Sequence, residues 1–120
     1  MEDTGSLEGW ISMFSEDIVW EAIEDAPDAG VYRGHDEVRG YFEDWRATVD
    51  AMRFEVPDLE EVGDWVVGHT ILTARVKGTG SEMILDYWQA MLVRGRKISR
   101  VKEFREREEA IAYAKAKTPS

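Results

Sequence analysis

Cysteine is absent from the 120 residues, which excludes disulfides, thiolate metal ligands and a cysteine nucleophile. The absence suits a reducing cytosol, and a cytoplasmic location is expected. Proline is scarce, with three in all, and no Pro/Gly/Ser-rich linker or internal repeat divides the chain. One domain over residues 1–120 is the expectation. No apolar run is long enough to span a bilayer, and the acidic start "MEDTGSLEGW" lacks the basic flank of a secretion signal. Positive charge is in short supply: 15 Lys and Arg against 25 Asp and Glu leave a formal charge of −10. That sign is repelled by phosphate backbones and anionic membranes, so neither nucleic acid nor membrane is an expected partner. The spacing of the cations marks no basic patch strongly. Two histidines, without metal-ligand spacing, predict no metal site. Neither a phosphate loop nor a Ser-His-Asp elbow is present.

What the chain does have is a globular balance of 43% hydrophobic and 33% charged residues. Five Trp, four Tyr and four Phe suit either an aromatic core or a ligand pocket with aromatic walls. Leu7, Trp10, Ile11 and Phe14 follow helical spacing, with Ser6 as a cap. "DIVWEAI" reads as a strand, broken by "EDAPDAG". Val38, Tyr41, Phe42, Trp45 and Val49 recur at steps of three and four, behind Asp36 and Glu37 in a first helical turn. Antiparallel sheet follows: "MRFEVPDLEEVGD", with Pro57 marking an edge or a bulge, then "WVVGHTILTARV", "EMILDYWQAMLV" and "RKISRVKEF". "REREEAIAYAKAK" closes as a helix. Early helices and a late meander predict an α+β fold, its helices on one face of a curved sheet.

This order resembles the SnoaL-like branch of the nuclear transport factor 2 superfamily, related in fold to ketosteroid isomerase and limonene epoxide hydrolase. "MFSEDIVWE", "GVYRGHDEVRGYFEDW", "VKGTGSE" and "RGRKISRVKEFREREEAIAYA" carry the likeness, over roughly Leu7 to Ala114. The resemblance implies a cone-shaped sheet with helices on its concave face, and a homodimer through the outer sheet face. It implies a small apolar or amphipathic ligand and, in an enzyme, cofactor-free isomerase, cyclase or epoxide-hydrolase chemistry. The fold also hosts non-catalytic binders. Most of the family's usual first helix is missing here, so either the pocket is more open or a neighbouring subunit covers it.

The candidate chemistry comes from the last hairpin. With Arg94 and Gly95 as its two central residues, Val101 faces Trp88 and Glu103 faces Asp86. One face then holds Asp86, Trp88, Ala90, Ser99, Val101 and Glu103; the other holds Leu85, Tyr87, Met91, Ile98, Lys102 and Phe104. By resemblance Glu103 aligns with the catalytic aspartate of the last strand. Glu103 would be the base and Asp86 its partner, since two adjacent carboxylates do not both ionise easily. His69, on the neighbouring strand, would orient or donate. The bland alternatives are a sheet-edge ion pair for Glu103 with Arg75, Arg100 or Lys102, and a wall position for His69. His35 reads as a cap or surface residue. Asp25 sits where isomerase-like members keep a base, or in a solvated acidic loop. Trp20, Tyr32, Phe42, Trp45, Trp88 and Val101 are the expected ligand-pocket residues. Glu106, Glu108 and Glu109 read as solvated helix charge.

Overall fold

Alternation of apolar and polar side chains from Val49 onward builds long strands, and the computed structural model describes residue 9, residues 11–23 and residues 30–117. In chain order these residues form β1 (Phe14–Glu21), β2 (Val31–Arg33) and α1 (Gly34–Ala47). Next come β3 (Val49–Val62), β4 (Trp65–Val76), β5 (Glu82–Arg94), β6 (Lys97–Phe104) and α2 (Arg107–Lys117). Phe14 and Val49, read as helical from their spacing, instead begin strands. Ser6, Leu7, Trp10 and Asp25 lie outside the described residues.

The six strands make one sheet in the order β2-β1-β6-β5-β4-β3. β1 runs parallel to β6, and the other pairs are antiparallel. Pro57 acts as read: β3 is an edge strand, and its pairing with β4 slips between Glu55 and Asp58. A proline there withholds no N–H that the ladder needs.

Because side chains alternate along a strand, the sheet has two differently furnished faces. On one, Ile18, Trp20 and Val101 pack with Val38, Tyr41 and Phe42 of α1. Phe14, Trp20, Tyr41 and Phe42 interlock with ring centroids 5.1–6.5 Å apart, a spacing that edge-on and offset packing favours. On the other, Trp65, Val67 and Ala90 meet Ala110 and Ala114 of α2. The small alanines let that helix approach the sheet closely. An Arg107–Glu60 ion pair at 2.5 Å ties α2 to the edge strand. The α+β class holds, but the two helices lie on opposite faces rather than together. The closing helix departs from the expected arrangement because its alanine stripe matches the face of Val67 and Ala90.

α1 begins where Gly34 takes a positive φ of 78°, and the Arg33 backbone N–H donates to Glu37 Oε1 at 2.8 Å. Asp36 and Glu37 occupy the first turn and Arg46 the last, as the helix dipole favours. At its end the Thr48 hydroxyl and backbone N–H both donate to the Trp45 carbonyl, and the chain turns into β3.

Candidate functional site

Between α1 and its face of the sheet lies a cavity of about 480 Å³, within the size range of small-molecule sites. Trp20 from β1 and Tyr41, Phe42 and Trp45 from α1 form one wall. Met52, Phe54, Leu72, Leu85 and Tyr87 form the other, from three successive strands. Ile23, Asp86, Glu103, Arg105 and Glu106 complete the lining.

Glu103 is half-buried on this face, and Oε1 accepts a hydrogen bond from the Ile23 backbone N–H at 3.3 Å. In the register Glu103 stands opposite Gln89. Gln89 is buried and accepts from the Thr70 hydroxyl at 3.1 Å, so a polar thread runs beneath the cavity wall. The Trp20 indole nitrogen is buried and has no hydrogen-bond partner among the described residues. Its ring lies edge-on to Phe42 at 5.1 Å. An unpaired buried donor costs about 1–3 kcal/mol, which makes this a notable position in a ligand-sized cavity.

The register does not set Glu103 opposite Asp86, although both residues line the cavity. The hairpin turns on Gly95 and Arg96, both at positive φ (55° and 68°), rather than on Arg94 and Gly95. A bulge between Leu92 and Val93 moves the pairing further. Glu103 therefore faces a residue three positions beyond Asp86, and an odd displacement exchanges the faces. Val101 likewise faces Met91 instead of Trp88.

Asp86 touches the cavity lining, but its carboxylate accepts from His69 Nε2 at 2.6 Å. His69 stacks on Trp88 with centroids 4.7 Å apart and planes 13° from parallel. His69, Asp86 and Trp88 thus form their own cluster, and the register puts it on the α2 face. Of the expected lining, Trp20, Phe42 and Trp45 border the cavity. Tyr32 stacks behind it on Tyr41 at 4.4 Å, and Val101 lies buried in the core beneath. Sequence reasoning passed over Tyr41, Phe54, Leu72, Leu85 and Tyr87. Tyr41 was already in the helical stripe, and the alternation of Met52 with Phe54 and of Leu85 with Tyr87 was readable once the face was known. His35 is tied by Nε2 to the Phe14 carbonyl at 2.9 Å, a structural contact between α1 and β1. Among the described residues no set of three or more His, Asp or Glu converges as a metal site. No described helix is long and apolar enough to cross a membrane.

Residues 1–101 match the family model of the SnoaL-like domain. The chain belongs to the SnoaL-like family. TerC, co-crystallised with polyporic acid, is 21% identical and superposes with a TM-score of 0.72, over 89% of this chain and 86% of that one. A ketosteroid isomerase-like protein from Catenulispora acidiphila, in complex with trimethylamine, is 14% identical, with a TM-score of 0.74 over 97% and 86%. A nuclear transport factor 2-like protein from Burkholderia thailandensis is 23% identical, with a TM-score of 0.75 over 94% and 87%. At these identities the likeness is one of fold. No curated protein matches the chain.

Proposed function

We propose that this SnoaL-like protein binds a small, largely apolar, flat molecule and moves a proton on it without a cofactor, in the manner of an isomerase or cyclase. The observation that carries the reading is Glu103, the half-buried carboxylate among the lining residues, on the wall of a cavity that is mostly aromatic and aliphatic. A carboxylate beside a bound carbonyl compound is a suitable base for removing a proton from the adjacent carbon. The Ile23 N–H steadies it from behind. Trp20, Tyr41, Phe42 and Trp45 supply flat surfaces for the ligand body. TerC's complex with polyporic acid is a parallel for a flat ligand in this fold.

The test is deuterium incorporation. Flat cyclic ketones and enones are incubated with the protein in D2O, and exchange at the carbon beside the carbonyl is followed by NMR. Glu103→Gln is expected to cut exchange by about a hundredfold or more while ligand quenching of tryptophan fluorescence persists. Exchange at the wild-type rate in Glu103→Gln would sink the proposal. A second reading, a binder without catalysis, is favoured by Asp86 being engaged with His69 and by Gln89, not Asp86, standing opposite Glu103. It predicts fluorescence quenching with no exchange by any ketone.

The proposal extends to a cytosolic homodimer joined through the α2 face beyond the helix, where Ile84 is 62% exposed. Ile84→Glu is expected to yield monomers in sedimentation velocity; a monomeric wild-type protein would refute the dimer.

A further inference from the structure

The second cavity lies on the opposite face, at the far end of the sheet, and nothing in the proposed chemistry uses it. It has a volume of about 300 Å³. Trp65 from the start of β4, Leu92 near the end of β5 and Tyr113 of α2 form its apolar walls. Trp65 and Tyr113 meet edge to face at 5.4 Å, leaving two aromatic surfaces at a right angle.

The rest of the lining is charged. Arg94, Arg100 and Lys117 all border the cavity, against one carboxylate, Asp64. In a chain of net charge −10, this is a local reversal of sign. None of the three lining cations makes an ion pair among the described residues. Arg100 is fixed by Nη1 donating to the Ser99 carbonyl at 2.9 Å and the Asp17 carbonyl at 3.4 Å. Both contacts use one nitrogen, so the remaining guanidinium donors are left for another acceptor. Lys117 Nζ lies 5.4 Å from the Tyr113 ring centroid, a cation held over a cavity wall.

Arg94, Arg100 and Lys117 outnumber Asp64 in this lining, and that local excess of positive charge favours a bound anion. Two aromatic walls add affinity for a flat apolar body. We propose that this cavity is a second ligand site, for a small aromatic anion: one ring carrying a phosphate or carboxylate group. The anionic group sits among Arg94, Arg100 and Lys117, and the ring lies against Trp65 and Tyr113. The volume suits a single-ring compound. The site is separate from the Glu103 cavity, reached from the other side of the sheet.

Phenyl phosphate is the probe, with inorganic phosphate as the control for its anionic part and benzyl alcohol as an uncharged aromatic control. In a ¹⁵N-resolved NMR titration of the full chain, phenyl phosphate is expected to shift the Trp65 indole and the Lys117 amide saturably, with a Kd of about 1 mM or below. The Trp20 and Trp45 indoles of the other cavity should stay still. Arg94→Glu combined with Lys117→Glu is expected to weaken binding by about tenfold. Both residues are exposed, so the fold should survive, and an unchanged spectrum elsewhere checks this. Arg100→Gln gives a second readout, with loss of affinity in a folded protein. Raising ionic strength to about 1 M, where the Debye length falls to about 3 Å, should weaken binding further. An unchanged affinity in the double variant would overturn the proposal. So would equal shifts from benzyl alcohol, or inorganic phosphate binding as tightly as phenyl phosphate.

Discussion

The two faces of the sheet use the same strands to opposite ends. On the α1 face, large rings stand apart and leave a mostly apolar space with the half-buried Glu103 at its wall. On the α2 face, alanines draw a helix tight against Val67 and Ala90, and the polar groups stand outside that contact. His69 and Asp86 satisfy each other there, and Arg94, Arg100 and Lys117 surround a small polar cavity. Neighbouring residues on one strand thus enter unrelated environments: Tyr87 lines the apolar cavity, while Trp88 stacks on His69. Chemical type alone does not tell which face a residue serves; register does.

Core truncation should break this comparison most forcibly. Ile18 is fully buried in the aromatic cluster, and Ile18→Ala is expected to cost about 2–5 kcal/mol in denaturant unfolding. Val67→Ala, fully buried against the closely packed α2, removes fewer atoms and should cost roughly 1.5–3 kcal/mol. If Val67→Ala proved the costlier, the α2 face would be the main core and the assignment of roles to the two faces would fail.

The next effect separates the two acids. Glu103→Gln should abolish deuterium exchange, as argued above, whereas Asp86→Asn and His69→Gln should leave it within about twofold of wild type, since a catalytic contribution would be about a hundredfold or more. A large loss in Asp86→Asn would mean that the carboxylate at the cavity edge reaches the ligand despite its bond to His69.

A smaller effect tests the hairpin that sorts the residues between faces. Arg96 adopts φ 68°, a conformation that costs a non-glycine residue about 1–2 kcal/mol. Arg96→Gly relieves that cost but adds freedom to the unfolded chain, so a net stabilisation of about 0.5–1 kcal/mol is expected. Thermal unfolding should show a higher midpoint. A lower midpoint would mean that the turn does not need left-handed backbone at that position, which would undercut the observed register.

That turn also explains what was legible in advance and what was not. Strand positions were readable because alternation is a local property: "WVVGHTILTARV" is β4 from end to end, and Pro57 announced the edge and its irregular pairing. The cross-strand partner is not local. "RGRK" permits a turn on Arg94–Gly95 or on Gly95–Arg96, and no residue flags the bulge at Leu92 and Val93. Either feature shifts every later pair. The pocket aromatics Trp20, Phe42 and Trp45 were accessible from composition and helical spacing, which do not depend on the hairpin. The Asp86–Glu103 pairing depended on it entirely, and the choice of Trp88 over Tyr87 shows the same loss of face. The cluster of cations was equally hidden, because Lys117 comes from α2 and joins Arg94 and Arg100 only when the helix folds back over the strands.

The smallest effect lies beside that cluster. The Ser15 hydroxyl donates to Asp17 Oδ1 at 2.6 Å, and this bond, aided by the nearby Arg100 and Arg94, holds the Asp17 carboxyl below its ordinary value although it is fully exposed. A carboxyl depressed on folding contributes stability above its unfolded pKa of about 3.9 and loses it as pH falls through the lower folded value. The sensitive window is therefore acidic, below about pH 4, with no contribution to pH dependence near neutrality. Ser15→Ala removes the largest cause and leaves the arginines. The Asp17 titration, followed by NMR, should move most of the way back toward that of a free carboxyl, and the small stability it contributes at pH 7 should be lost with the shift. If Asp17 stays depressed in Ser15→Ala, the arginines of the small cavity dominate its field. The positive charge at that end of the α2 face would then reach around the sheet to β1.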